Sequence, residues 1–202
     1  MKEITFTVTE NTESINGLKT IKFLMRNLEK DLYTWKWIVI ATHNCVQNFM
    51  SSALRSTNNL NILDKNSSKL WYDEFLNRMN NKVEDWNWPE EKLDYFLNLF
   101  KKVKSDKMLF LVTSKKFESD QDTDEAMSWL NWHRNFFIHF IPSTFTFNVI
   151  DFPKRLLLVS NLIKFIIFES GNILWLNIEE KESAEKLILE LIEDFEHLNK
   201  KY

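Results

Sequence analysis

Two glycines and three prolines in 202 residues leave this chain few places to reverse direction tightly. An all-β fold draws on Gly, Asn-Gly or Pro at most of its turns, and the common phosphate-cradling loops need closely spaced glycines. Neither can be built here. Long helices joined by polar connections remain, and 44% hydrophobic and 14% aromatic content points to a large packed core rather than to disorder. The length suits one all-α domain over residues 1–202, a bundle of five to seven helices.

Charge and cysteine usage narrow the function classes. Lys and Arg number 26 against 29 Asp and Glu, a formal charge of -3, so a nucleic-acid surface would have to be local. Cys45 is the single cysteine. It cannot form an internal disulfide, and its apolar surroundings read as those of a packed core thiol. The start, Met1-Lys2-Glu3-Ile4-Thr5-Phe6, lacks the apolar region of a signal peptide. The richest apolar run, residues 156 to 168, is broken by Ser160, Asn161 and Lys164 and is too short to cross a bilayer. A cytoplasmic protein without a membrane partner is expected.

Periodicity divides the chain. Ile4, Phe6 and Val8 alternate with threonines, and Phe145, Phe147 and Val149 alternate with Thr144, Thr146 and Asn148, which predicts a minor two-stranded β element appended to the helices. From Leu18 the spacing Ile21, Leu24, Met25, Leu28, Leu32 is helical. A second helix is read over about 31 to 56, with Ala41, Cys45, Phe49 and Ala53 inward. An Asn- and Ser-rich loop at 56 to 68 precedes a short helix through Leu70, Trp71, Phe75 and Met79. Pro89 suits the first position of the next helix, through Phe96 and Val103. Asp122 with Glu125 resembles a capping box, opening a helix that runs to Pro142. Asp151 and Pro153 open another that ends near Gly171, and Ser183 or its neighbours open the last.

The helix before Pro142 carries Arg134-Asn135-Phe136-Phe137-Ile138-His139. On a helix Ser128, Trp132, Asn135 and His139 share one face, and Trp129, His133, Phe136, Phe137 and Phe140 cover the adjoining apolar side. Arg134 lies about 100° from Asn135 and can swing to the same cleft, so three functional groups are expected to converge. Arg holds phosphate bidentately, His moves a proton near neutral pH, and Asn fixes a hydroxyl or an imidazole tautomer. Five Arg and four His in 202 residues would give Arg-x4-His by chance roughly 0.1 times, and demanding Asn after Arg lowers this to roughly 0.01. The plainer alternative is a surface Arg in an ion pair and a His bonded in the core.

Arg134-Asn135-x-x-x-His139 on a late helix of an all-helical chain resembles the catalytic motif of the HEPN superfamily, in which Arg is followed by a polar residue, a short spacer and His. The upstream stretch Ala41-Thr42-His43-Asn44-Cys45-Val46-Gln47-Asn48-Phe49-Met50, the continuation Phe140-Ile141-Pro142 and the apolar helix from Pro153 are similar to an uncharacterised bacterial group of stand-alone HEPN proteins, over roughly residues 30 to 170. The resemblance implies a HEPN-like bundle and a metal-independent endoribonuclease acting on single-stranded RNA, with Arg134, Asn135 and His139 as catalytic residues and no cofactor. It also implies a homodimer with a composite site, and a toxin paired with an antitoxin protein or an antiviral effector. From other classes stand a non-catalytic HEPN-fold module that binds RNA, a nucleotide or a protein, and a helical dimer whose Arg134 and His139 brace an interface.

Other clusters rank lower. His43, His133 and His139 could be read as a metal set, but His133 and His139 are not at i, i+4 spacing and no Cys pair accompanies them, so a metal is not expected. Glu179, Glu180, Glu182 and Glu185 suit a helix N-terminus. Lys101, Lys102, Lys104, Lys107, Lys115 and Lys116 are the one basic concentration, more simply a solvated face than an RNA track.

Overall fold

Thr9 opens the first helix. Its hydroxyl accepts the Thr12 N–H while the Thr12 hydroxyl accepts the Thr9 N–H, a reciprocal cap that starts the helix well before the periodic run from Leu18. The computed structural model describes residues 4–81 and 87–202. Among the described residues the chain is all-α, with seven α-helices: α1 Glu10–Met25, α2 Thr34–Leu54, α3 Lys65–Asn80, α4 Phe96–Val103, α5 Gln121–Ile138, α6 Phe152–Phe168 and α7 Ile178–Lys201. None is long and apolar enough to cross a membrane.

α2 is the central element, buried at nearly every turn through Trp35, Ile38, Val39, Val46, Phe49 and Met50, and it packs against α1, α4, α5 and α6. The side it gives to α1 is tight because Gly17 carries no side chain. A Cβ there would lie 3.0 Å from the Cβ and Sγ of Cys45. Cys45 is the core thiol expected, fully buried with Sγ 3.6 Å from the Ser14 carbonyl, and burial pushes its pKa well up. α6 packs on α2, and α7 joins α6 to α1, burying Leu156, Val159, Ile163, Ile188 and Leu191.

α3 stands apart from the other helices among the described residues. An isolated antiparallel bridge between Leu63 and Leu93, the Ser67 hydroxyl donating to the Glu90 carbonyl (2.7 Å) and the stacking of Trp71 on Trp88 at 4.7 Å hold it. Pro89 does not start α4. The segment from 87 to 95 stays non-helical, and α4 begins only after Asp94, whose carboxylate takes the Tyr95 N–H, the Asn98 amide and the Lys102 ammonium (2.6 Å).

The two expected strands do not pair, and that part of the reading is corrected. Ile4 and Phe6 are 95% and 88% exposed. Phe145 and Phe147 pack their rings on Phe136 of α5 instead, with centroids 4.6 and 5.3 Å away, so aromatic packing on the helix takes the faces a sheet would have needed. Helix ends shift as well. Asp120 rather than Asp122 caps α5 by accepting the Thr123 N–H (2.8 Å), and Asn177 caps α7 by accepting the Glu180 N–H (2.8 Å), ahead of Ser183. α5 stops at Ile138, because the ring of Pro142 would collide with the carbonyl four residues back if the helix continued.

Candidate functional site

α5 supplies the motif. Its buried face, Ala126, Met127, Leu130 and His133, packs on α2 and α6. Ser128, Trp132 and Asn135 share the exposed side expected of them. Asn135 and His139 therefore face solvent, while Arg134 is half-buried beside them.

Within the motif the structure joins two residues directly. Arg134 Nη1 donates to the Asn135 side-chain oxygen at 3.0 Å, which turns the guanidinium across to the carboxamide's side. No carboxylate pairs with Arg134 among the described residues, and its Nε is buried without a hydrogen-bond partner. His139 does not converge on this pair through its ring. It is the C-terminal cap of α5, with φ -103° and ψ 37°, tied to Asn135 by its backbone N–H donating to the Asn135 carbonyl (2.9 Å). The imidazole is exposed. All three groups thus occupy one helix end, with Arg134 and Asn135 bonded to each other and the His139 ring making no hydrogen bond among the described residues.

A fourth group, not assigned to the site from sequence, comes from α2. His43, 3% exposed, stacks on Phe96 at 3.9 Å and 22°. Its Nε2 lies 3.4 Å from the side-chain oxygen of Asn131, one turn before Asn135. Burial pushes this imidazole down from 6.5 to about 4; the hydrogen bond to Asn131 opposes that fall and the charge of Arg134 adds to it. His43 is therefore neutral at physiological pH. The sequence signal was a histidine between Thr42 and Asn44 in a helical run that also carries the inward Ala41, Cys45 and Phe49.

His133, outside the motif, is the histidine that α5 buries in the core. Its Nδ1–H donates to the Trp129 carbonyl (3.0 Å), and Trp129, Trp132, Phe147 and Phe152 surround the ring within 5.7 Å. Burial lowers its pKa, against the effect of that bond. Among the described residues no three His, Cys, Asp or Glu side chains gather as a metal set. Half of the basic concentration is paired: Lys102 with Asp94 (2.6 Å), Lys104 with Asp124 (2.6 Å) and Lys116 with Asp106 (3.0 Å). Glu179 and Glu180 lie in the first turn of α7.

Beside the motif lies a cavity of about 510 Å³, between the start of α2, the end of α5 and the segment from 143 to 149. Phe136, Phe137 and Phe140 line it from the motif's own turn. Comparison with family models, curated proteins and solved structures finds no match for this chain.

Proposed function

We propose that the protein is a metal-independent endoribonuclease of HEPN type acting on single-stranded RNA. The observation that carries this reading is the Arg134–Asn135 hydrogen bond on the exposed side of α5, with His139 ending the same helix and no carboxylate neutralising the guanidinium among the described residues. Such a face suits a phosphodiester. Arg134 offers planar paired donors to the non-bridging oxygens and to the charge that grows on phosphorus, and Asn135 orients the scissile group. The ribose 2′-hydroxyl forms a new bond to the adjacent phosphorus as the bond to the 5′-oxygen breaks. His139 as general base takes the 2′ proton, or as general acid delivers one to the departing oxygen. The ends are a 2′,3′-cyclic phosphate and a 5′-hydroxyl, and DNA, which lacks the nucleophile, is not cut.

One motif brings one exposed imidazole, whereas in-line transfer uses both an acid and a base. A two-fold dimer that places two copies of His139 at one site supplies both. A toxin held by an antitoxin protein, or an antiviral effector, is the setting this chemistry would serve in the cytoplasm. The second reading is a non-catalytic module that binds RNA, a nucleotide or a protein. It is favoured by the His139 ring, which has no bonded neighbour among the described residues to set its tautomer. The test is incubation of purified protein with single-stranded RNA in EDTA. Cleavage with cyclic-phosphate ends is expected. Activity that needs an added divalent ion overturns the mechanism, and intact RNA favours the binding module.

A further inference from the structure

The cavity beside the motif is walled mainly by aromatic rings. Phe136 and Phe145 meet at 4.6 Å and 82°, and Phe137 and Phe147 at 5.2 Å and 64°. In such edge-to-face pairs each ring used edge-on keeps its faces for other neighbours. Phe145 is 55% exposed and lines the cavity. A volume of about 510 Å³ lies in the range of small-ligand sites and leaves room for one flat heterocycle together with its sugar.

A cation also lines this cavity. Lys36 Nζ sits 3.2 Å from the Tyr33 hydroxyl and 5.4 and 5.2 Å from the ring centres of Tyr33 and Trp37, and both Lys36 and Tyr33 line the cavity. No carboxylate pairs with Lys36 among the described residues. A purely apolar occupant would bring nothing to this ammonium, whereas a flat aromatic body carrying a negative charge matches both the rings and the cation. Phe136, Phe137 and Phe140 interleave with Asn135 and His139, so the cavity and the motif adjoin at the C-terminal end of α5.

We propose that this cavity is a nucleobase subsite, in which one unpaired base of single-stranded RNA stacks on Phe145 while Lys36 holds an adjoining phosphate. Which polymer fills it rests on the ribonuclease reading; the stacking itself does not. Ring stacking accepts every base and is sensitive to loss of the aromatic face, so the subsite selects unpaired over paired RNA and not one sequence over another.

The experiment uses 2′-O-methyl RNA oligonucleotides, which cannot be cut by their own 2′-oxygen, each carrying the fluorescent base 2-aminopurine at one of successive positions. Wild type should bind them and quench at least one position several-fold. Phe145→Leu, which keeps bulk but removes the ring, should restore most of the fluorescence, and Phe145→Tyr should keep the quench. Lys36→Gln should weaken binding several-fold and lower the slope of log affinity against log salt by roughly 0.7, as loss of one phosphate contact to a single strand requires. No binding, fluorescence that stays bright at every position, or a Phe145→Leu chain that quenches like wild type would each overturn the proposal, as would a fatty acid that occupies the cavity and is not displaced by the oligonucleotide. Quenching without cleavage of unmodified RNA keeps the subsite and removes the nuclease. Cleavage with every position bright does the reverse.

Discussion

His43 of α2 and Asn131 of α5 meet across the helix pair that carries the motif, with Nε2 3.4 Å from the amide oxygen. Because His43 is 3% exposed and the positive charge of Arg134 reaches it, a proton on this ring is costly. Burial, not the contact, keeps the imidazole neutral, since the hydrogen bond to Asn131 favours the proton; the contact ties the register of α5 to the core helix.

That arrangement predicts how stability follows pH. The folded-state pKa of His43 is lowered from 6.5 to about 4, so between those values the unfolded chain binds more protons than the folded one and stability falls as the solution is acidified. The contribution is whole above pH 6.5 and is lost progressively down to about pH 4, reaching about 3 kcal/mol at the low end. His133, also lowered, acts in the same direction. Denaturant unfolding from pH 7.5 to 4 should show this slope, and His43→Gln should flatten it. An unchanged slope in that variant would place the titration elsewhere.

His139→Ala and Arg134→Ala should each reduce RNA cleavage by roughly 100-fold or more, the scale of a lost proton-transfer or charge-stabilising group. The His139 ring is exposed and makes no hydrogen bond among the described residues, so its loss should leave the thermal midpoint within a degree or two. Arg134→Lys keeps charge but not the paired donors and should stay impaired. Unfolding of His139→Ala would support an interface-bracing role instead.

Assembly is tested by mixing. Inactive His139→Ala chains added in excess to wild type should lower activity per wild-type chain if the site is built from two copies. Full activity would mean that each chain is complete, and a monomer by light scattering that still cuts RNA would rule out the shared site.

Gly171 has φ +72°, and a Cβ there would lie 2.8 Å from the Thr113 carbonyl oxygen. Gly171→Ala meets both the left-handed backbone and that carbonyl, and should cost roughly 1 to 3 kcal/mol. Thr113→Ser leaves the carbonyl in place and should not relieve it. A neutral Gly171→Ala would show that the loop after α6 relaxes freely.

How far the fold could be read in advance depends on whether each feature is local. Scarce glycine and proline, the helical spacing of α2 and α6, and the burial of Cys45 follow from steric rules and periodicity within a few turns, and these hold among the described residues. The alternation at Ile4, Phe6 and Val8 and at Phe145, Phe147 and Val149 is local too, but a strand exists only with an edge to bond. The rings of Phe145 and Phe147 found Phe136 instead. Arg134, Asn135 and His139 were legible as a spacing on one helix. That Arg134 bonds Asn135, that α5 ends before the His139 ring can join them, that His43 stands behind α5 and that a cavity opens beside the motif were decided by the packing of α2, α5 and the segment after α5. The His43–Asn131 contact alone joins residues 88 positions apart. Periodicity names the face a helix will bury, and only the assembled fold chooses what that face meets.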